Sequence, residues 1–228
     1  MSWVLDNLDL IGGLTLEHLR QCLVPIALGL LIAIPLGWVA FRFKLTRGLV
    51  LTVTGLLYTI PSLALFAVVP SVFGVLYISE ANLVIALTIY AVAIMTRSVA
   101  DALGSVDPDV RRAAVAVGYG PWRRFWGVEL PLAGPVVLAG LRVTAVSTIA
   151  LATVGILIGV TNLGYLFTNG LQRRILAEVF AGVVAVMLVA LAIDLLLVLA
   201  GRVLMPWAPR RSGRSRIVQQ ALRAGGTA

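Results

Sequence analysis

The chain has 228 residues, 60% of them hydrophobic and 12% charged, with a mean hydropathy of +1.02 and a formal net charge of +8. A water-soluble domain of this length leaves a large part of its surface wet and cannot hide so much apolar area, so the bilayer is its natural solvent. The one cysteine, Cys22, excludes a disulfide framework and a thiolate metal site.

Residues 1–18 carry Asp6, Asp9 and Glu17, the wrong sign for a cleaved leader, and are expected as a short extracytoplasmic segment. Crossing the hydrocarbon core takes about 20 apolar residues in a helix. The segments 19–41, 49–69, 83–103, 136–160 and 179–204 qualify, and together they predict an all-α polytopic membrane protein with about five spans. Pro25, Pro35 and Pro61 fall inside spans, where neighbouring helices or polar side chains must meet the carbonyls they free. No internal repeat is evident.

Basic residues near the span ends set the orientation. Arg42, Lys44, Arg47, Arg111, Arg112, Arg123, Arg124 and Arg202 fall on one side, together with the tail 207–228 and its Arg210, Arg211, Arg214, Arg216 and Arg223. Arg20, Arg173 and Arg174 fall on the other. This bias predicts a cytoplasmic C-terminus and an external N-terminus, and reads the basic tail as a solvated topogenic segment rather than a nucleic-acid site.

The loop 104–135 joins the third and fourth spans on the cytoplasmic side. Asp107-Pro108 is an N-cap followed by proline at the first helical position. Val110, Ala113, Ala114 and Val117 then recur at i, i+3, i+4 and i+7, one apolar stripe on a short helix. Gly118 and Gly120 follow where a left-handed residue ends a helix. Such a helix can lie on lipid, pack on its own bundle, or dock in a partner's groove.

Ionisable groups within spans are costly and face partners or water. Arg97 and Asp101 stand at i and i+4, an ion pair near the cytoplasmic mouth. Arg142 and Asp194 lie at matched depths, about 10 Å from that surface by helical rise, and are expected to pair. Glu80 and Glu178 mark outer helix ends and are expected to be solvated. Thr59, Ser62, Tyr90, Thr144, Ser147 and Thr148 are polar positions within spans, open to two readings: a wetted path, or bonds to their own helix and its neighbours. The outer loop 161–172, with Tyr165 and Phe167, reads either as a gate or docking segment or as an interfacial anchor.

The run Arg112-Ala113-Ala114-Val115-Ala116-Val117-Gly118, with Val128-Glu129-Leu130-Pro131 after it, resembles the coupling-loop signature of binding-protein-dependent ABC transporter permeases. Arg112 departs from the pattern, which has glutamate there. Leu16-Glu17-His18-Leu19, Ile34-Pro35-Leu36-Gly37, Thr59-Ile60-Pro61-Ser62-Leu63-Ala64, Val106-Asp107-Pro108 and Ala139-Gly140-Leu141-Arg142 are similar to the osmoprotectant branch, importers of glycine betaine, choline and carnitine.

The resemblance implies a permease domain at 19–206 that pairs with an identical or homologous permease subunit. It implies a separate ATP-hydrolysing subunit, engaged through Val110, Arg112, Ala113, Ala114, Val117, Gly118, Leu130 and Pro131, and a separate solute-binding protein. The chain carries no phosphate-cradling loop of its own, and no catalytic group, cofactor or metal is expected. An ion-driven secondary transporter is the competing class. It lacks support in the short chain and the missing inverted repeat. A membrane enzyme is a third class, opposed by a single histidine, His18, and no carboxylate pair within a span. A permease for another small solute, such as an amino acid, is the nearer alternative.

Overall fold

The computed structural model describes residues 2–208, and the expected basic tail beyond Ala208 lies outside the described residues. Every regular element among the described residues is helical. A short α1 (Ser2–Asp6) leads into α2 (Leu8–Arg42), whose 35 residues span roughly 50 Å at 1.5 Å per residue. The first span is therefore longer than the apolar run alone indicates. Leu14 and His18 are buried, so the helix is held by packing well before residue 19.

The long α2 lies along α5 (Glu80–Gly104), and small residues set how closely. Gly29, Ala33 and Gly37 repeat every four residues on one face of α2, all buried. A Cβ on Gly37 would stand 2.6 Å from the Cβ of Val99, and one on Gly29 would stand 3.2 Å from the Ala91 carbonyl carbon. Close backbone approach of this kind drives association where lipid removes the hydrophobic difference between helix and solvent.

The expected second span is broken in two. Helices α3 (Lys44–Thr59) and α4 (Ser62–Phe73) meet at 111° across Ile60-Pro61. The residue before a proline is forced out of the helical region, and Ile60 sits at φ −65°, ψ 127°. Two carbonyls exposed by prolines are met from α5. Tyr90 donates its hydroxyl to the carbonyl of Ile60. Pro70 has no N–H for the carbonyl of Phe66, and Asn82 supplies the missing donor at 3.0 Å.

Beyond α5 come two short helices, α6 (Pro108–Ala116) and α7 (Pro121–Arg124). One π turn, Phe125–Glu129, carries the chain into α8 (Leu130–Ala152). The fourth span ends earlier than the apolar run suggests, because α8 tightens at Thr153–Ile158 into a 3₁₀ turn. The loop expected at 161–172 is largely a helix, α9 (Gly164–Gln172), with Gly164, Leu166 and Gly170 buried. Next is α10 (Leu176–Leu204), which presents Phe180, Met187, Leu191, Leu195 and Leu199 outward, as a lipid- or subunit-facing helix does.

Among the described residues, four helical stretches are long and apolar enough to cross a membrane: Leu8–Arg42, Glu80–Gly104, Pro121–Ile158 and Leu176–Leu204. The bent pair supplies a fifth crossing if its halves count as one span.

Candidate functional site

The α5–α8 connection forms the functional candidate, and its local sequence explains its shape. Asp107 caps α6 by accepting from the Asp109 N–H at 2.8 Å, with Pro108 at the first position. The helix closes in a Schellman arrangement. Tyr119 N–H bonds the Ala114 carbonyl at 3.0 Å, and Gly118 N–H bonds that of Val115 at 2.9 Å. Gly118 takes φ +85°, the left-handed position this motif needs. Gly120, expected to share that role, has φ −65° and starts α7 instead.

The apolar stripe of α6 is divided. Val117 is 73% exposed, and Val110 and Ala113 are also exposed. Ala114 is 8% exposed and turned into the molecule, apart from the other three. Leu130 and Pro131 are half-buried at the start of α8, where the Pro131 carbonyl accepts from Trp207 Nε1 at 3.1 Å.

A buried carboxylate fixes this loop. Glu129, in the π turn, is 3% exposed and lies 2.9 Å from Arg124 Nε and 3.9 Å from Arg111 Nε. Arg111 also donates to the Leu103 carbonyl at the end of α5 and stacks on Phe41 of α2, 4.6 Å from the ring centre. Thus one carboxylate ties α5, α6, α7 and α8 together. Trp38 of α2, packed against Trp122 and Phe125, braces the same segment at the same end. Sequence reasoning missed Glu129. Its signal was an acid held between Val128 and Leu130, with arginines at both ends of the loop.

Arg112 is exposed and pairs with Asp109, one helical turn earlier. Beside it a cleft of about 330 Å³ opens between Arg111, Arg112, Val115 and Arg124.

Arg142 of α8 and Asp194 of α10 meet in a two-pronged ion pair at 2.6 and 2.7 Å. Arg142 also lines a cleft of about 570 Å³ between these two helices, together with Leu138, Val198 and Arg202. Arg97 stands 3.9 Å from Asp101, which Arg47 of α3 also approaches, at 3.5 Å.

The polar span positions separate into two groups. Thr144 and Thr148 are buried and bond back to the Gly140 and Thr144 carbonyls of their own helix, at 2.9 and 2.8 Å. Tyr90 is buried, with its hydroxyl on the Ile60 carbonyl, so all three bond within this chain. Thr59 is exposed, although it bonds back to the Leu56 carbonyl at 2.8 Å. Ser62 and Ser147 are half-buried.

At the opposite end of the bundle lies a buried polar cluster that the sequence reading did not assemble. His18 bonds the Ile149 carbonyl through Nε2 at 3.1 Å, near the point where α8 tightens. Asn162 donates to the Gln21 side chain at 3.0 Å and to the Ala152 carbonyl at 2.8 Å. The signal was His18 and Gln21 three apart on one face of an apolar helix. Glu178, expected to be solvated, is fully buried and accepts from Asn169 at 2.6 Å, which locks α9 onto α10. Glu80 pairs with Arg20 at 2.6 Å.

Long apolar helices around a charged, tightly capped loop define a multi-pass membrane protein. Residues 26–208 match the family of binding-protein-dependent transport system inner membrane components, and the chain belongs to that family. It is 32% identical to the osmoprotectant import permease protein OsmW of Salmonella typhimurium, over 86% of this chain and 93% of the relative. It is also 32% identical to the choline transport system permease protein OpuBB of Bacillus subtilis, over 84% of this chain and 87% of the relative. Its fold matches an inward-facing structure of the MetNI methionine ABC transporter with a TM-score of 0.73 and 21% identity, covering 90% of this chain and 99% of that one. The chain is a non-catalytic permease component of an ABC-type importer, related to osmoprotectant permeases.

Proposed function

We propose that this chain moves a compatible solute such as glycine betaine, choline or carnitine, along an interface with a second permease subunit, identical or homologous. A separate ATP-hydrolysing subunit takes α6 in a groove, and an extracytoplasmic binding protein delivers solute at the opposite end. The observation that carries the reading is α6 itself: capped at both ends, braced by Glu129, and exposing Val110, Ala113 and Val117. A rigid element with an uncovered apolar side transmits motion, where a loose loop would absorb it.

The N-terminus lies outside and the C-terminus in the cytoplasm, which puts α6 on the cytoplasmic face. The arginine bias supports this, with Arg42, Arg47, Arg111, Arg112, Arg123 and Arg124 all at the α6 end. In this layout 1–18 is the outer segment, 19–206 the permease domain and 207–228 a cytoplasmic tail. Similarity to the osmoprotectant and choline permeases supports the solute class.

The test is reconstitution in proteoliposomes with the ATPase subunit and the binding protein, followed by uptake of labelled glycine betaine, choline and carnitine. ATP-dependent import of one of them is the expected result. An intact complex that imports none would overturn the solute assignment. A permease that fails to retain the ATPase would overturn the docking role of α6.

A further inference from the structure

We infer that the cleft between Arg111, Arg112, Val115 and Arg124 receives one acidic side chain of the ATP-hydrolysing subunit, so that this importer's contact is polarised with the permease positive. The inference rests on the docking role of α6 and adds the chemistry of the contact.

Charge carries the first part. Three guanidinium groups surround an open cleft of about 330 Å³. Glu129, buried beneath them, answers Arg111 and Arg124, and Asp109 answers Arg112. Three positive and two negative charges leave one positive charge without a partner in the cleft. One carboxylate completes it, and guanidinium groups are the side chains best matched to a carboxylate's paired oxygens. Arg111 and Arg124 are already oriented, since both side chains are mostly buried and held by Glu129. Little side-chain freedom remains to be lost there when the acid arrives.

The composition of α6 selects a protein over a lipid headgroup. Helices that lie in the membrane interface bury large side chains such as Leu, Phe or Trp. From Pro108 to Ala116 the apolar residues are only proline, valine and alanine. These suit a shallow protein groove and bury too little to hold a helix in acyl chains. Val115, 53% exposed on the cleft wall, gives the incoming side chain an apolar contact for its methylenes.

The experiment measures binding of the purified ATPase subunit to the full-length permease in nanodiscs, made once with neutral and once with anionic phospholipid. Arg112 is exposed, so its variants should fold as the parent does, which thermal melting checks. Arg112→Glu should weaken binding by about tenfold in both lipids, while Arg112→Lys, which keeps the charge but not the paired N–H groups, should weaken it less. Selection for restored uptake in the Arg112→Glu background should return Asp or Glu to Lys or Arg changes in the ATPase subunit.

Parent-like binding by Arg112→Glu, with binding lost in Val117→Asp, would overturn the acidic contact and leave the docking of α6 standing. Parent-like binding by both variants would overturn the docking reading itself. Weakening by Arg112→Glu in anionic discs alone would show a lipid headgroup in the cleft and overturn the inference.

Discussion

Asn82 on α5 stands in for an amide that Pro70 lacks: its side chain donates at 3.0 Å to the Phe66 carbonyl, and at 2.9 Å to that of Tyr77. Asn82 and Phe66 are fully buried, so no water can take over the bond to the Phe66 carbonyl, whereas Tyr77 is 48% exposed. Asn82→Leu should leave the Phe66 carbonyl without a donor, at about 1–3 kcal/mol. Asn82→Asp, the same size but an acceptor in place of a donor, should do at least as much harm. Thermal melting of the purified protein measures this, with a loss on the order of 5 °C expected for either variant. An unchanged melting temperature in both would show that the α4 backbone is satisfied some other way.

The Arg142–Asp194 pair joins α8 to α10. Asp194→Asn and Arg142→Gln should each lower the amount of assembled protein, because each strands a charge between two apolar helices. The double variant Arg142→Asp with Asp194→Arg should recover part of it. Full assembly of both single variants, by size-exclusion yield, would show that the helices meet without the pair.

Glu129→Gln should spare insertion and loosen the α5–α8 connection. Losing the carboxylate leaves Arg111 and Arg124 repelling each other over a buried amide, at about 3 kcal/mol. Since α6 is then no longer held to α8, ATP hydrolysis should lose its response to loaded binding protein. Gly118→Val should share the phenotype by straining the left-handed position, by about 1 kcal/mol or more. Solute-stimulated ATPase activity is the readout, and normal stimulation in both variants would refute a role for loop rigidity.

Orientation has a direct check. Cys22 is buried, which keeps the labelling background low. Leu76→Cys, in the exposed turn after α4, should react with an impermeant maleimide on intact cells. Gly127→Cys, at an exposed position of the π turn, should react only after permeabilisation. The reverse pattern would place α6 outside and remove it from any ATPase.

Much of this molecule was legible in its sequence. The spans follow from apolar runs that nothing else tolerates, and α6 follows from local signals: Asp107-Pro108 at one end, Gly118 at the other. Arg142 and Asp194 were matched by depth and sign alone. The misses share one cause, which is tertiary contact. Pro61 announced a disturbance, but not a bend of 111°, because the bend is held by Tyr90, thirty residues away in sequence. Glu178 reads as a surface acid until Asn169 and the fold of α9 close over it. Ala114 shares the spacing of Val110 and Val117, yet it is 8% exposed where Val117 is 73% exposed. Periodicity assigns a face to a residue; it does not say what lies across from that face.

The seam between α2 and α5 has a mechanical consequence. Helices held apart by leucines slide by trading one rotamer for another, whereas Gly29, Ala33 and Gly37 give α5 nothing flexible to slide over. Displacement along the axis would drive Val99 into the α2 backbone, so the two helices are expected to move as one stiff beam. The freedom to rearrange then falls to the joints beside that beam: the kink at Ile60-Pro61, the 3₁₀ turn at Thr153–Ile158, and the charged bolt between α8 and α10. Spectroscopic labels on α2 and α5 should keep a constant separation in every nucleotide state, which makes this pair the natural ruler against which the other movements are measured.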